Sequence, residues 1–297
     1  MHFADRLDAL VAERESQIVL GLDPDPARLW PQAEAAAPPD GSPAERAAVA
    51  VAAHCAAAIE AAGPACVAVK PQLACFERLG AHGWRALALV VEHARAQGLL
   101  VLADAKRGDI DVSAAAYGQA LAGATPTPFG AVAGLGADAF TASPYMGVDS
   151  LRSLQMPQAG LFVLVRTSNP GAADVEDLRT ESGERVWERV ARLVDGLGTP
   201  GPASGLHDVG AVVGATAPEH LSRARELMPR APFLLPGVGA QGGRVEDLAP
   251  AFAAGRAGGL VTASRSIVSA HEHHGGDPAQ TARREAERLR ALTWSLG

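Results

Sequence analysis

Apolar residues are concentrated in about eight short runs that alternate with longer amphipathic or alanine-rich stretches. Most of these runs are apolar throughout, which is typical of strands buried on both faces of a parallel sheet. The alternation favours an α/β fold, a single (β/α)8 TIM-type barrel over residues 1–297, with a doubly wound open sheet as the alternative. The strands are predicted at 17–22, 66–72, 99–103, 137–144, 160–166, 209–215, 232–235 and 258–262.

Helix-end signals place the intervening helices. Ser42, Pro43 and Glu45 form a capping pattern that begins an alanine-rich helix ending at about Ala62. The Pro-, Ala- and Asp-rich stretch 24–42 is expected to be a long loop insertion with room for a short helix. The other helices are predicted at 3–14, 82–97, 111–122, 149–154, 181–195, 218–228, 244–254 and 277–294.

Composition excludes several classes of function. The chain of 297 residues is 48% hydrophobic, which is ample for a large core, and its net charge is −7 without a basic stripe, so nucleic-acid binding is not expected. No apolar run is expected to approach the roughly 18 residues of a membrane helix, and the amino terminus lacks a signal-peptide pattern. The three cysteines have no metal-ligand spacing and are expected to be reduced. We therefore expect a cytoplasmic protein without a membrane partner.

The stretch Leu99–Ile110 ends a buried strand in a cluster of charges. Because side chains alternate along a strand, Asp104 and Lys106 are expected to point the same way, with Asp109 on the following loop. Burying an ion pair costs free energy unless the pair is well compensated. This stretch alone leaves a structural salt bridge and an active site equally open.

The ends of the other strands favour the active site. In parallel barrels the chemistry lies at the carboxyl ends of the strands, so residues that follow different strands meet at one mouth. Charged residues end strands one, two, three and eight, and uncharged polar residues end the others. The charged set is Asp23, Lys70, Asp104 with Lys106, and Arg265; the uncharged set is Ser143, Thr167 to Asn169, Thr216 and Gln241.

A second pattern predicts a phosphate site. The segment after strand seven, 236–243, contains Gly239 and Gly242, and glycines let the backbone approach an anion closely. Ser264 and Arg265 follow strand eight and begin a short predicted helix. Phosphate binding after strands seven and eight recurs in this architecture.

These motifs resemble orotidine 5′-phosphate decarboxylase, in the longer bacterial branch of that family. The similarity rests on Asp104-x-Lys106-x-x-Asp109-Ile110, on Val69 to Gln72, on Thr167 to Pro170 and on the glycine-rich loop 237–243. It covers about residues 17–267. The resemblance implies cofactor-free, metal-free decarboxylation of orotidine 5′-monophosphate to UMP, the last step of de novo pyrimidine synthesis, by a homodimer.

The resemblance also implies roles for individual residues. Lys70, Asp104, Lys106 and Asp109 would form an alternating charged array, in which Asp109 reaches the neighbouring subunit's site together with Ile110 and Ser113. Asp23 would bind ribose hydroxyls and Ser168 the pyrimidine ring. Gln241 would bridge base and phosphate, and residues 240–244 would form a lid. The phosphate would be bound by Gly239, Gly242, Ser264 and Arg265.

The chemistry of decarboxylation fits these residue types. Loss of CO2 from C6 leaves a carbanion, which a fixed ammonium group can stabilise and then protonate, and this is the role expected of Lys106. Neighbouring carboxylates keep that lysine charged.

Two other functions remain open at this stage. A Mg2+-dependent sugar-phosphate aldolase or decarboxylase of the same barrel superfamily would usually have a carboxylate where strand two ends in Lys70. A non-catalytic barrel that binds a phosphate ligand would not need the full charged array. The cluster His271 to His274 lacks structural zinc spacing and is expected to be a solvated loop.

Overall fold

Eight parallel strands close into a barrel in a computed structural model that describes residues 1–216, 218–239 and 242–296. The order around the barrel is β1-β10-β9-β8-β7-β6-β3-β2, and a separate antiparallel hairpin is formed by β4 and β5. The strands are β1 (Ile18–Leu22), β2 (Ala68–Pro71), β3 (Leu100–Arg107), β4 (Ala124–Thr127), β5 (Gly130–Ala133), β6 (Ala139–Ala142), β7 (Gly160–Arg166), β8 (Val209–Val213), β9 (Phe233–Leu235) and β10 (Gly259–Ala263).

Helices surround the barrel and connect its strands. Short 3-10 segments at Gly63–Ala65, Pro170–Asp174, Val245–Ala254 and Arg256–Gly258 complete the connections. The α-helices are α1 (Phe3–Arg14), α2 (Pro31–Ala35), α3 (Pro43–Ala62), α4 (Leu73–Glu77), α5 (Gly80–Ala96), α6 (Asp111–Ala122), α7 (Val148–Leu154), α8 (Val186–Leu197), α9 (Glu219–Leu227), α10 (Arg265–Val268), α11 (Ala270–His274) and α12 (Pro278–Trp294).

The seam between the first and last barrel strands decides between the two predicted architectures. β1 pairs in parallel with β10, with Val19 opposite Thr262, and on its other side with β2. A doubly wound sheet would leave two open edges. The closed barrel is therefore confirmed, and the open sheet was the wrong alternative.

Helix α1 closes the amino-terminal end of the barrel. The ring of Phe3 lies edge-on to Phe162 inside the barrel, with 6.1 Å between ring centroids. At Gly160, the first residue of β7, a Cβ atom would lie 2.5 Å from the Phe3 ring, so only glycine permits this approach. Leu7 and Val11 are also buried in this inner cluster. The opposite, carboxyl end of the barrel is thus left for the polar cavity described below.

Several predicted boundaries were wrong for local reasons. Helix α8 begins at Val186 rather than at residue 181, because the backbone N–H of Arg185 bonds to the Glu188 carboxylate at 2.9 Å and sets the helix start there. The predicted helix at 244–254 is a 3-10 segment that contains Pro250, which lacks a donor for α-helical bonding. Sequence analysis missed α4 and the exposed β4–β5 hairpin.

The alanine-rich helix α3 is the one candidate for a membrane span among the described residues. Together with its 3-10 extension, the stretch Pro43–Ala65 is long and apolar enough to cross a membrane by length and composition alone. Its longest run without an Asp, Glu, Lys or Arg residue spans 47–59, which is shorter than the roughly 18 residues of a membrane helix. Since 56% of its most apolar window is buried inside the protein, the stretch has the burial of a core helix.

The segment 24–42 packs against the carboxyl-terminal helices. It contains the predicted short helix, α2, and Trp30 is buried beside His54 of α3. Residues 271–274 lie in helix α11 and not in the predicted loop, and Glu272 pairs with Arg28. Among the described residues, no group of three His, Cys, Asp or Glu side chains is placed to hold a metal ion.

The three cysteines, Cys55, Cys66 and Cys75, are free thiols. Burial raises the pKa of both Cys55 and Cys66, that of Cys66 to about 12, so these two thiols are inert.

Candidate active site

Asp104 is held between two lysines at the carboxyl end of the barrel. Its Oδ2 lies 2.6 Å from Nζ of Lys70 on β2, and its Oδ1 lies 2.6 Å from Nζ of Lys106 on β3. Asp104 and Lys70 are 4% and 7% exposed, whereas the Lys106 side chain is 44% exposed and reaches towards solvent. The central carboxylate is therefore buried, while one of its two cations remains accessible to a substrate.

Two neutral side chains complete the surroundings of Asp104, and sequence analysis missed both as site residues. Thr141 of β6 donates its hydroxyl to Oδ1 of Asp104 at 2.8 Å, and Gln72 donates Nε2 to Oδ2 at 3.1 Å. Thr141 is the only polar residue of β6, a signal that could have identified it. Ser143, expected from the end of the same strand, instead bonds through its backbone N–H to Arg107.

The surroundings of the pair fix its charges. Burial alone would raise the pKa of Asp104, but the positive charges of Lys70 and Lys106 outweigh it and hold that pKa well below its usual range. Burial would likewise lower the pKa of Lys70, but the carboxylates of Asp104 and Asp23 outweigh it and raise that pKa. Both partners are therefore ionised across the neutral range.

The backbone at Lys106 is unusual. Its φ angle is 48°, in the left-handed region, and the register between β3 and β6 shifts between Ala103 and Arg107. Such a bulge bends a strand and redirects its side chains. β3 extends beyond the predicted end to Arg107. The Asp104 and Lys106 side chains meet as predicted, but across a bulge and not through the regular alternation on which the prediction rested.

A cavity of about 550 Å3 opens over this cluster. It has the size of a small-molecule site and has a mixed lining of charged, polar and apolar groups. Asp23 lies on its edge with Oδ1 3.9 Å from Nζ of Lys70. Of the residues predicted for the site, the cavity is lined by Asp23, Lys70, Asp104, Lys106, Ser168, Ser264 and Arg265.

The end of β7 is fixed by a second group of charges. Glu176 accepts hydrogen bonds from the backbone N–H and the hydroxyl of Thr167, at 2.9 and 2.8 Å. Arg166 forms two hydrogen bonds with the Asp177 carboxylate. The backbone of Ser168 lies so close to Gly214 that a Cβ atom there would be 2.8 Å from the Ser168 Cα. These contacts hold Ser168 at the cavity wall.

The end of β10 lies beside the end of β1. A Cβ atom at Gly21 would lie 1.7 Å from Oγ of Ser264, so the glycine makes room for that serine. Arg265 begins the short helix α10, is exposed, and forms no hydrogen bond or ion pair with any side chain in the described ranges. Its guanidinium is thus available to an anion in the cavity.

The glycine-rich turn after β9 is folded on itself. Gly239 and Gly242 have φ angles of 74° and 91°, which favour glycine. Their backbone N–H groups bond within the turn, to Gly243 at 3.0 Å and to Gly239 at 2.8 Å respectively. Gly239 lines a neighbouring cavity of about 590 Å3, which also contains Arg265. Gln241 and part of the predicted lid at 240–244 lie outside the described residues.

Three predicted site residues lie away from the cavity of their own chain. Asp109 is held by its backbone, since its carbonyl accepts a hydrogen bond from the hydroxyl of Ser150. Ile110 is 57% exposed, and Ser113 is exposed on the first turns of α6. Val112 between them is 76% exposed. The structure therefore separates Asp109, Ile110 and Ser113 from the Lys70–Asp104–Lys106 cluster within one chain.

One feature of composition singles out the cluster. Lys70 and Lys106 are the two lysines of the whole chain, and all its other strongly basic residues are arginines. An ammonium group can lose a proton far more readily than a guanidinium group. The chain thus has both of its lysine side chains on one buried carboxylate.

A closed parallel barrel with a charged cavity at the carboxyl ends of its strands is the architecture of a barrel enzyme. Residues 16–284 match the model of the orotidine 5′-phosphate decarboxylase / HUMPS family, and the chain belongs to that family.

Individual relatives agree with this assignment. The chain is 39% identical to the orotidine 5′-phosphate decarboxylase of Rhodopirellula baltica, over 99% of this chain and 97% of the relative. It is 41% identical to that of Haloarcula marismortui, over 92% of this chain and 88% of the relative. The solved structure of Leishmania donovani OMP decarboxylase is 33% identical and superposes with a TM-score of 0.70, covering 99% of both chains.

Proposed function

We propose that this chain decarboxylates orotidine 5′-monophosphate to UMP, with Lys106 as the group that stabilises and protonates the product carbon. The observation that carries the proposal is the buried Asp104 carboxylate, bonded on one oxygen to Lys70 and on the other to the accessible Lys106. The family to which the chain belongs supports the same reaction.

The proposed reaction breaks one bond of the substrate and takes one proton from Lys106. The bond between C6 and the carboxylate breaks, CO2 leaves, and the electron pair stays on C6. The Lys106 ammonium stabilises that developing charge and then transfers its proton to C6, which yields UMP. The neutral amine left on Lys106 regains a proton from solvent. No electron carrier or metal ion takes part in these steps.

The remaining lining residues are assigned to the parts of the nucleotide. Asp23, at the edge of the cavity beside Lys70, would bind ribose hydroxyls, and Ser168 would contact the pyrimidine ring. The phosphate would bind Arg265 and Ser264, with Gln241 bridging base and phosphate. Because the amides of Gly239 and Gly242 are used within their turn, these two residues would bind phosphate only after the turn rearranges. Phosphate binding energy can stabilise such a closed form.

The site is completed by a second copy of the chain. Asp109, Ile110 and Ser113 lie outside their own cavity, at the start of α6, where the apolar side chains of Ile110, Val112 and Tyr117 are also exposed. Exposed apolar patches of this kind mark interaction surfaces. We therefore assign the active form as a homodimer in which Asp109 of each chain lies beside Lys106 in the active site of the other. We place this enzyme in the cytoplasm.

Spectroscopy with orotidine 5′-monophosphate tests the reaction. The ultraviolet absorbance of the substrate should fall with wild-type protein and should fall at the same rate in EDTA. Loss of activity in EDTA would show that the reaction depends on a metal ion. Unchanged absorbance would overturn the proposed reaction and leave the sugar-phosphate enzyme and the non-catalytic phosphate-binding barrel.

Two variants of Lys106 distinguish stabilisation by its positive charge from donation of its proton. Lys106→Ala should lower kcat by several orders of magnitude. Lys106→Arg keeps the positive charge but holds its proton too tightly to donate it, so it should also be severely impaired while still binding UMP. An Arg variant with near wild-type turnover would overturn the assignment of Lys106 as proton donor.

A further inference from the structure

Thr141 links the backbone of Lys106 to the carboxylate that its ammonium group contacts. Its Oγ1 accepts a hydrogen bond from the backbone N–H of Lys106 at 2.9 Å and donates one to Oδ1 of Asp104 at 2.8 Å. That same Oδ1 lies 2.6 Å from Nζ of Lys106. The contacts close a ring that runs from the Lys106 backbone through Thr141 and Asp104 to the Lys106 ammonium.

The hydroxyl replaces a missing strand contact. Pairing between β3 and β6 runs through Ala103 with Phe140 and resumes only at Arg107 with Ala142. Lys106 lies in this interruption with a φ angle of 48°, a left-handed conformation that is unfavourable for a residue with a Cβ atom. Its N–H would lack a partner in the ladder, and the Thr141 side chain supplies one.

Thr141 is also rigid. Its side chain is 1% exposed, and β-branched residues are restricted at χ1, so the hydroxyl has little freedom to turn away from its two partners. A fixed hydroxyl on the neighbouring strand can therefore define both the backbone of Lys106 and the orientation of the carboxylate that its ammonium contacts.

We propose that Thr141 is a positioning residue, whose hydroxyl holds the Lys106 ammonium at the carbon that it protonates. This inference rests on the proposed decarboxylation by Lys106. It assigns no contact with substrate to Thr141, which acts through Lys106 and Asp104.

Kinetics of two matched variants test the role. Thr141→Val keeps the shape and removes the hydroxyl, so kcat should fall by about 10- to 100-fold, as expected when a reacting group is misplaced by a fraction of an ångström to 1 Å. KM should change less than about threefold, because phosphate and ribose contacts are untouched. Thr141→Ser keeps the hydroxyl and should recover most of kcat. Thr293→Val removes a buried hydroxyl that bonds to the Leu289 and Arg290 carbonyls of its own helix, α12, and should retain wild-type kcat.

Because the chain contains two lysines, their ammonium groups can be observed individually. Protein labelled with 15N-lysine should give two side-chain Nζ signals, assigned by Lys106→Arg. In Thr141→Val the chemical shift of the Lys106 Nζ signal should change, because its Asp104 partner loses the hydrogen bond from Thr141, while the Lys70 signal should change much less. A purely structural role for Thr141 would leave both signals in place.

The outcomes are distinguishable. Wild-type kcat together with an unchanged Lys106 signal in Thr141→Val would overturn the inference. If wild-type protein fails to decarboxylate the substrate, the proposed function fails, and the 15N signals still show whether Thr141 fixes Lys106. If Thr141→Val does not fold, Thr141→Ser and Thr141→Cys provide the same comparison of kcat and Lys106 signal.

Discussion

The backbone N–H of Trp30 donates a hydrogen bond to Nδ1 of His54 at 3.1 Å, and the two rings lie edge to face, 5.3 Å apart. The indole N–H of Trp30 also bonds to the carbonyl of Val268 at the end of α10, the helix that begins with Arg265. The contact therefore links the 24–42 segment to the helix assigned to phosphate. Since Nδ1 accepts a hydrogen bond, His54 is held as the neutral tautomer protonated on Nε2.

His54 should make the fold sensitive to acid. Burial, with a smaller contribution from His271, lowers the pKa of His54 to about 4 from an ordinary value of 6.5. Below pH 6.5 the His54 imidazole is protonated in the unfolded chain but stays neutral in the folded chain. The free energy of unfolding therefore falls as the pH decreases, and the loss levels off below about pH 4. The loss should total on the order of 3 kcal/mol.

Urea unfolding at intervals between pH 7 and pH 4 measures this effect. His54→Asn is the matched variant, because its side-chain oxygen can still accept the Trp30 N–H and does not titrate. The variant should lose less stability than wild type across this interval. Parallel pH profiles for the two proteins would contradict the assignment.

Arg225 should stabilise the fold without affecting turnover. It is 8% exposed, donates to the carbonyls of Met228, Ala231, Ala251 and Gly258, and lies 3.8 Å above the centroid of the Phe233 ring. Arg225→Met leaves these carbonyls unpaired and should lower the free energy of unfolding by roughly 3–5 kcal/mol. Urea unfolding measures the loss, and kcat and KM of the folded fraction should match wild type.

Lys70 should protect the fold against acid as well as support the site. Because the pKa of Asp104 is lower in the folded than in the unfolded chain, its ionisation stabilises the fold at pH values above the ordinary pKa of an Asp. This stabilisation is lost as the pH falls towards the folded-state pKa. Lys70→Met removes one cation, so the pKa of Asp104 should rise, acid unfolding should begin at higher pH, and stability near neutrality should fall by about 3 kcal/mol.

The double variant Lys70→Met, Asp104→Leu is the control for that prediction. It removes the buried charge together with its partner and should recover part of the stability that the single variant loses. A double variant no more stable than Lys70→Met would contradict the prediction that an unpaired buried Asp104 carboxylate causes the loss.

Hybrid dimers test the assignment of Asp109 to the partner's site. Lys106→Ala and Asp109→Asn should each be nearly inactive alone. Coexpression should yield roughly a quarter of the wild-type activity, because half of the randomly paired dimers contain one site with both residues intact. Activity no higher than that of the single variants would place Asp109 in its own chain's site or outside any site.

Strand positions were predictable because parallel strands buried on both faces are continuous runs of apolar residues. β7 was predicted with its observed bounds, Gly160–Arg166, and the charged strand ends identified Lys70, Asp104 and Lys106 before their contacts were known. The prediction depended on one general property of barrels, that strand ends converge.

The missed features depend on contacts that local patterns do not specify. Thr141 stands out in sequence as the polar residue of an apolar strand, but its contact with the Lys106 backbone depends on the bulge in the neighbouring strand, which the sequence pattern does not specify. The β4–β5 hairpin was missed because Pro126 and Pro128 argue against strands, although an edge strand tolerates proline. The position of Asp109 relative to a second chain is not specified by the fold of one chain.

The seam between β1 and β10 has a consequence for synthesis of the protein. Asp23 and Arg265 follow the first and last barrel strands, so the ribosome makes one long before the other. At roughly 5–20 residues per second, on the order of tens of seconds separate them. Throughout that time one edge of β1 in the nascent chain lacks its partner strand. This edge can pair with a wrong strand or be bound by a chaperone. The cavity at the carboxyl ends of the strands can form only after β10 has been synthesised.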